Sequence, residues 1–295
     1  MPTAHRSRIV VEAQMTESVA ALLRARGLHP RKRLGQNFLT DPVALERIVA
    51  AADLVPSDLV VEVGAGVGTL TGPLAERAAR VLALELDDEL VDILRERFSA
   101  SPNVEIIHGD VLRLSLSDLV DRSYKVVGNL PYYITSAVLR RFLSGTPRPQ
   151  LMVVTVQREV AERAVAEPGK MSLLAVSVQF YGQPRVVARI PAGAFYPVPK
   201  VDSAVMRIDI GEQPIVRLGE GIDEAEFFRV VRAGFSQKRK KLRNSLSAGL
   251  RFVPAEAERV LEQAGVDPGR RAETLSLSEW ARVTKIVHAL GRATQ

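Results

Sequence analysis

Residues 59–71 read LVVEVGAGVGTLT. The first five form an apolar run broken only by Glu62, short enough for a strand buried on both faces. Three glycines follow at 64, 66 and 68, and a helical pattern begins near Thr71. Glycines between a strand and a helix let a ligand come close to the backbone. Working outward, the same alternation repeats. Helices are expected at 41–52, 71–80, 88–98, 116–121 and 136–143, and strands at 81–84, 104–107, 125–127 and 151–156. Short, fully apolar strands alternating with helices predict an α/β fold with a mostly parallel sheet covered on both faces. Residues 173–190 and 201–210 look like later, longer strands. Residues 211–223 read as a linker, and 224–249, 254–264 and 278–290 as helices. A short helix is expected at 16–26, with Thr16 as its cap and Gly27 as its stop.

The chain has 295 residues, no cysteine and four histidines without metal-ligand spacing. Disulfides and thiolate sites are excluded, no metal is expected, and a cytoplasmic protein fits. No apolar stretch is long enough to span a membrane, and the polar, charged first residues lack a signal-peptide core. Net charge is +6, which by itself describes only a basic surface. Clustering says more. Residues 24–33 (RARGLHPRKR) carry five cations and no acid, and residues 229–243 (RVVRAGFSQKRKKLR) carry seven and no acid. Lys238, Arg239, Lys240 and Lys241 occupy four consecutive positions and would point all around a helix, so the chain should protrude or end a helix there. A lysine-rich solvated face is the bland account. Clustering with Arg243 favours contact with phosphates.

The glycine spacing does not fit a dinucleotide site, which wants G-x-G-x-x-G; the third glycine comes one residue early and Thr69 stands in the sixth place. With an acid at position 62, two residues before the first glycine, it suits binding of S-adenosylmethionine (SAM). The second strand ends in Glu85, placed to accept ribose hydroxyls. The third ends in Gly109-Asp110, where a carboxylate can accept from an adenine amino group. The fourth ends in Asn129. Each acid alone reads as a helix cap or a solvated loop. As a set in register at the carboxyl edge, they read as a cofactor site.

Asn129 opens the stretch NLPYYIT, residues 129–135. Turn chemistry explains the Asn and Pro but not the adjacent rings. Methylation of a planar amine does. An adenine amino lone pair is delocalised into the ring, while the SAM methyl is already activated, so the enzyme must chiefly align the two. The Asn129 side-chain carbonyl and the Leu130 main-chain carbonyl can accept the two N–H groups. Pro131 fixes the loop. Tyr132 can stack on a base drawn out of its own stack.

Seven stretches in order resemble one family: RKRLGQNFL (31–39), VEVGAGVGTLT (61–71), GNLPYYIT (128–135), QREVAERAVAEP (157–168), AFYPVPKVDSAVMRI (194–208), FSQKRKKLRNSL (235–246) and GVDPGRRAETLS (265–276). They are similar to the bacterial small-subunit rRNA adenine dimethyltransferases (the KsgA family). The resemblance implies a Rossmann-like class I methyltransferase fold, with a seven-stranded, mostly parallel sheet and a small all-helical C-terminal domain. It divides the chain into an N-terminal extension (1–30), a catalytic domain (31–210) and a helical RNA-binding domain (211–295). It implies SAM as cofactor, released as S-adenosylhomocysteine, with Asn37, Leu39, Gly64, Gly66, Glu85, Asp110 and Asn129 in contact. Phe195 is implied to lie on the target base opposite Tyr132. Arg31, Lys32, Arg33, Lys238, Arg239, Lys240, Lys241 and Arg243 are expected to meet RNA. The implied reaction is dimethylation of two adjacent adenosines in a hairpin near the 3′ end of 16S rRNA, within the immature 30S subunit, by a monomeric enzyme.

Four residues, at three places, depart from that family's pattern. Tyr133 stands where Asn is usual, Ala65 where Pro is common, and Met171-Ser172 where Tyr-Gly is common. Rival readings are the related macrolide-resistance 23S rRNA methyltransferases, an assembly or transcription factor that kept the fold, an NAD-dependent oxidoreductase and a protein-glutamine methyltransferase. The C-terminal motifs weigh against the first and the intact carboxyl edge against the second. Glycine spacing disfavours the third and the two basic segments the last.

Overall fold

A computed structural model describes residues 18–293. They divide into two compact units, one running to Ala161 and taking up Pro184–Glu212, the other made of Glu162–Gln183 and the chain from Gln213.

In the first unit, helix α1 (Val19–Ala25) is capped by Ser18, whose hydroxyl accepts from the Ala21 N–H. The Thr16 cap expected for it lies outside the described residues. Next come β1 (Phe38–Leu39), α2 (Pro42–Ala51), β2 (Leu59–Val63) and α3 (Thr71–Ala75). They are followed by β3 (Arg80–Glu85), α4 (Asp88–Arg97), β4 (Val104–His108), α5 (Leu116–Leu119), β5 (Lys125–Asn129) and α6 (Thr135–Ser144). β6 (Leu151–Gln157), α7 (Arg158–Ala164), β7 (Gly182–Ile190), β8 (Phe195–Tyr196) and β9 (Ser203–Ile210) complete the α/β part of the chain; α8 (Leu173–Tyr181), between α7 and β7 in sequence, belongs to the second unit.

Seven strands form one sheet in the order β4-β3-β2-β5-β6-β9-β7. β2 is parallel to both β3 and β5, and β6 to β5, whereas β9 runs antiparallel to β6 with Leu151 opposite Asp209 and Gln157 opposite Ser203. All five residues of β2 are buried, Glu62 included, as expected of a central parallel strand. Each fully buried Val or Leu there contributes roughly 1.5–3 kcal/mol. Strand order reverses between β2 and β5, and an open sheet leaves a crevice at the carboxyl ends of such a pair.

The second unit holds α9 (Glu224–Phe235), α10 (Leu242–Leu250), α11 (Pro254–Gln263) and α12 (Leu277–Ala293), together with α8. Two expectations are corrected here. Residues 173–181 form a helix, not the start of a strand. Val176, Val178 and Phe180 alternate with Ser177 and Gln179 as a strand would, and the decision falls to Ser172, whose hydroxyl accepts from the Ala175 N–H. The run belongs with the helical unit because Phe180 stacks on Phe227, centroids 4.7 Å apart, and packs edge-on to Phe228. Residues 162–183 therefore leave the catalytic domain, to which the expected boundaries assign them, and join the helical unit. The departure at Met171-Ser172 is also accounted for locally: Met171 is buried and Ser172 caps α8.

The helix expected over 224–249 is two helices. α9 stops at Phe235, and residues 236–241 form the turn before α10. The four-cation run lies in that turn, where no cation has to face a packed side.

Candidate active site

The carboxyl ends of β2, β3, β4 and β5 converge on an open cleft. Gly64, Gly66, Glu85, Asp110, Asn129, Leu130, Pro131 and Tyr132 all line it, as does Asn37. A smaller recess shares Gly64, Gly66 and Asn129 with the cleft and adds Leu39, Glu62 and Thr69. Leu39 reaches the site only there; most of it is core.

The glycine loop takes its path from three left-handed residues, Gly64, Gly66 and Gly68, at φ of +73°, +62° and +85°. That conformation opposes a side chain. A Cβ on Gly68 would also come within 2.5 Å of the Phe98 ring, so the loop is pressed onto α4.

Glu85 ends β3. Its Oε2 accepts from the Gly66 N–H at 2.8 Å, and its Oε1 accepts from Leu86 and Asp87 at 2.8 and 2.9 Å. Burial raises the pKa of this carboxyl, while the three N–H bonds pull it back. A carboxylate has about four acceptor positions, so one remains, on Oε2. Acceptance of both ribose hydroxyls by Glu85 is thus trimmed to one unless a backbone bond gives way. Asp110 follows β4. Its Oδ1 accepts from the Leu112 N–H at 2.9 Å, and its Oδ2 lies 3.5 Å from the exposed Arg113 side chain.

Asn129 ends β5. Its side-chain NH2 donates to the Asn37 carbonyl at 2.8 Å. That bond fixes the amide's orientation and turns Oδ1 into the acceptor role. Leu130 is buried and its N–H donates to Thr155 O on β6 at 3.1 Å. The Pro131 carbonyl accepts from Ile134 and Thr135, closing the loop onto α6. The Tyr132 hydroxyl bonds Ser203 at 2.8 Å, which anchors its ring to β9; burial raises its pKa and the Ser203 bond lowers it.

Two of the expected site residues are held within the fold. Phe195 is 3% exposed and belongs to the core cluster with Leu39, Ile48 and Leu70. It pairs with Leu39 in the small β1–β8 sheet and does not line the cleft. Arg31 is not an open phosphate ligand. It holds Asp87 at 2.8 Å and Glu89 at 2.5 Å, while Gln36 donates to the other Asp87 oxygen at 2.8 Å. Arg31, Gln36 and Asp87 thus strap the segment before β1 to the start of α4, and Gln36 lines the cleft. Only Asp87's place two residues after Glu85 at a helix start hinted at this. Lys32 and Arg33 stay exposed.

In the helical unit, Lys238, Arg239, Lys240 and Lys241 are exposed, whereas Arg243 pairs with Glu258 at 3.1 Å. Glu62, beneath the glycine loop, is completely buried, and burial pushes its carboxyl up to about 8 against the Thr71 hydroxyl bond at 2.6 Å. Among the described residues no cluster of three or more His, Cys, Asp or Glu could hold a metal, and no helix is long and apolar enough to cross a membrane.

The donor set suits SAM. A carboxylate with a position left for a ribose hydroxyl, a second carboxylate one strand along, and a glycine loop open to close approach face one crevice.

Comparison with known proteins agrees. The family described as Ribosomal RNA adenine dimethylase matches residues 27–289. A Dehalococcoides mccartyi protein named Ribosomal RNA small subunit methyltransferase A is 51% identical over 255 residues, covering 86% of this chain and 87% of its own. The solved structure of the 23S rRNA methyltransferase ErmE is 31% identical with a TM-score of 0.68, covering 85% of this chain and all of its own. A dimethyladenosine transferase from Plasmodium falciparum, 24% identical with a TM-score of 0.73 over 86% of this chain and 98% of its own, shares the fold. With its sheet order, its SAM-type crevice and a match across nearly all the described residues, the chain belongs to the ribosomal RNA adenine dimethylase family.

Proposed function

We propose that this enzyme dimethylates N6 of two adjacent adenosines in a hairpin loop near the 3′ end of 16S rRNA, on the immature small subunit in the cytoplasm, as a monomer. The observation that carries it is the Asn129–Leu130 corner, held by bonds to Asn37 and Thr155 so that two carbonyl oxygens are left for an amine. Relatives near half identity named for the small subunit favour that subunit over the large one, the substrate named for the more distant ErmE.

SAM, when bound, supplies a methyl group already activated on sulfonium sulfur. Glu85 would hold one ribose hydroxyl through Oε2, and Asp110 the adenine amino group through Oδ2. The Gly64–Gly66 backbone leaves room for close approach, and the Asn37 strap covers the cleft. Asn129 Oδ1 and the Leu130 carbonyl draw the two N–H groups of the target amine, which directs its lone pair in line with the methyl. Tyr132, its hydroxyl pinned to Ser203, offers a ring face to the base. After one transfer a single N–H remains, so one carbonyl must then tolerate a methyl group. Lys238–Lys241, Lys32 and Arg33 meet phosphates, which position the RNA without reading it.

Methyl mapping on purified 16S and 23S rRNA tests the assignment. Modification of paired adenosines in 16S RNA is expected, and modification confined to 23S RNA would contradict it.

A further inference from the structure

Of the loop residues 129–134, Tyr133 alone is exposed, at 59%. It lines the mouth of the cleft beside Tyr132. One side of its ring rests on Gly35: a Cβ there would sit 3.1 Å from Tyr133 Cδ1 and 3.3 Å from Cε1. Gly35 is left-handed, φ +60°, and ends the turn formed by Lys32–Leu34. That turn is held in place by Arg31 on Asp87 and Glu89. Lys32 and Arg33 are exposed, with no acid paired to them among the described residues.

The result is an aromatic ring braced from behind and open in front, with two unneutralised cations on the turn that braces it. An exposed ring costs hydration. A purine face covers it at a gain, and the cations suit the phosphate linking that purine to its neighbour. Tyr132 faces the extruded base, so whatever follows that base along the strand must leave past the cleft mouth, where Tyr133 stands.

Resting on the assignment of an RNA adenine methyltransferase, we propose that Tyr133, Lys32 and Arg33 form a second nucleotide subsite. The base adjoining the target adenosine stacks on Tyr133 while the intervening phosphate meets Lys32 and Arg33. Stacking tolerates any base, so the subsite sets the position of the target rather than its identity. Because Tyr133 shares the loop with Asn129 and Leu130, it can hold the target amine in register through successive transfers.

The test is a binding cycle with the full chain. Two hairpin RNAs are used, one with the adjoining adenine present and one abasic at that position, against wild type, Tyr133→Ala and Tyr133→Phe. SAM affinity is followed by calorimetry. Tyr133→Ala should weaken the base-bearing RNA by about tenfold, Tyr133→Phe should restore it, and the abasic RNA should bind wild type and Tyr133→Ala alike. SAM affinity should not move. Replacing Lys32 and Arg33 together by Gln should lower the salt slope by about one unit or more for both RNAs. Equal weakening of both RNAs by Tyr133→Ala overturns the stacking subsite. So does loss of SAM affinity with RNA binding intact, which would make the ring merely a cleft wall. Wild type that methylates the hairpin yet shows additive effects sinks the subsite alone; wild type that methylates no adenosine sinks the functional assignment with it.

Discussion

The two cation-rich segments look alike in the sequence and differ in the structure. In 24–33, Arg26 is paired with Glu96, and Arg31 is held by Asp87 and Glu89. In 238–241, four cations stand exposed on a turn between two helices, and the charge taken up nearby is Arg243, by Glu258. The partnering acids lie 15 to 70 residues from their cations. A local count of charge therefore cannot separate cations that the fold pairs from cations that it leaves exposed. Arg26 and Arg31 are tied up inside the fold, as are the groups bonded to Glu85 and Asn129, while Lys32 and Arg33 between them and β1 stay exposed. The second segment has no internal role to lose.

Substitutions on each side of that contrast should fail in different ways. Asn129→Ala should have the largest effect, lowering turnover by about 10²-fold or more, because the amine loses one of the two carbonyls that align it, while SAM binding weakens only modestly. Single-turnover rates with a parallel SAM titration check this, and unchanged turnover would remove Asn129 from the reaction. Next, replacing Lys238, Arg239, Lys240 and Lys241 by Gln should weaken RNA binding by about tenfold or more and flatten its salt dependence by about three units if all four meet phosphate. SAM affinity should stay put, and an unaltered salt slope would place these cations on an ordinary solvated surface.

Arg31→Ala should do the reverse on a smaller scale. SAM affinity should fall by about two- to fivefold, as expected for a partly exposed ion pair, with the RNA salt slope nearly unchanged. A lowered slope would return Arg31 to the phosphate-binding group.

The smallest effect concerns stability. The folded-state pKa of Glu62 is raised from 4.5 to about 8, so the folded chain holds this proton more tightly than the unfolded one. Its contribution is complete below about 4.5 and is lost as pH rises through about 8. Wild type should melt several degrees lower at pH 9 than at pH 6, and Glu62→Gln, which can still accept from Thr71, should flatten that fall. Melting curves that fall in parallel would show that Glu62 is ionised at neutral pH.

The sheet was legible because its strands are short, wholly apolar and separated by helices with the right period; β2 falls where 59–63 predicted it. The carboxyl-edge set was legible because Gly64, Glu85, Asp110 and Asn129 each end a strand, which fixes their place before any packing is known. Phe195 was not. A phenylalanine beside a Pro-rich segment can face core or cleft, and only its pairing with Leu39 in the β1–β8 sheet decides. Residues 173–181 hide their helix because Val176, Val178 and Phe180 alternate with Ser177 and Gln179, the period of a strand. Arg31 and Arg243 look free in the sequence because their acids come from elsewhere in the fold.

The most direct measurement is transfer of tritiated methyl groups from SAM to small subunits lacking these modifications, followed by nucleoside analysis. Label should be recovered as N6,N6-dimethyladenosine from the 3′-terminal region of 16S rRNA, and Asn129→Ala should lose it. Label absent from 16S adenosines, or dimethyladenosine formed equally well without the Asn129 amide, would contradict the assignment of this carboxyl edge as the site that aligns the adenine amine.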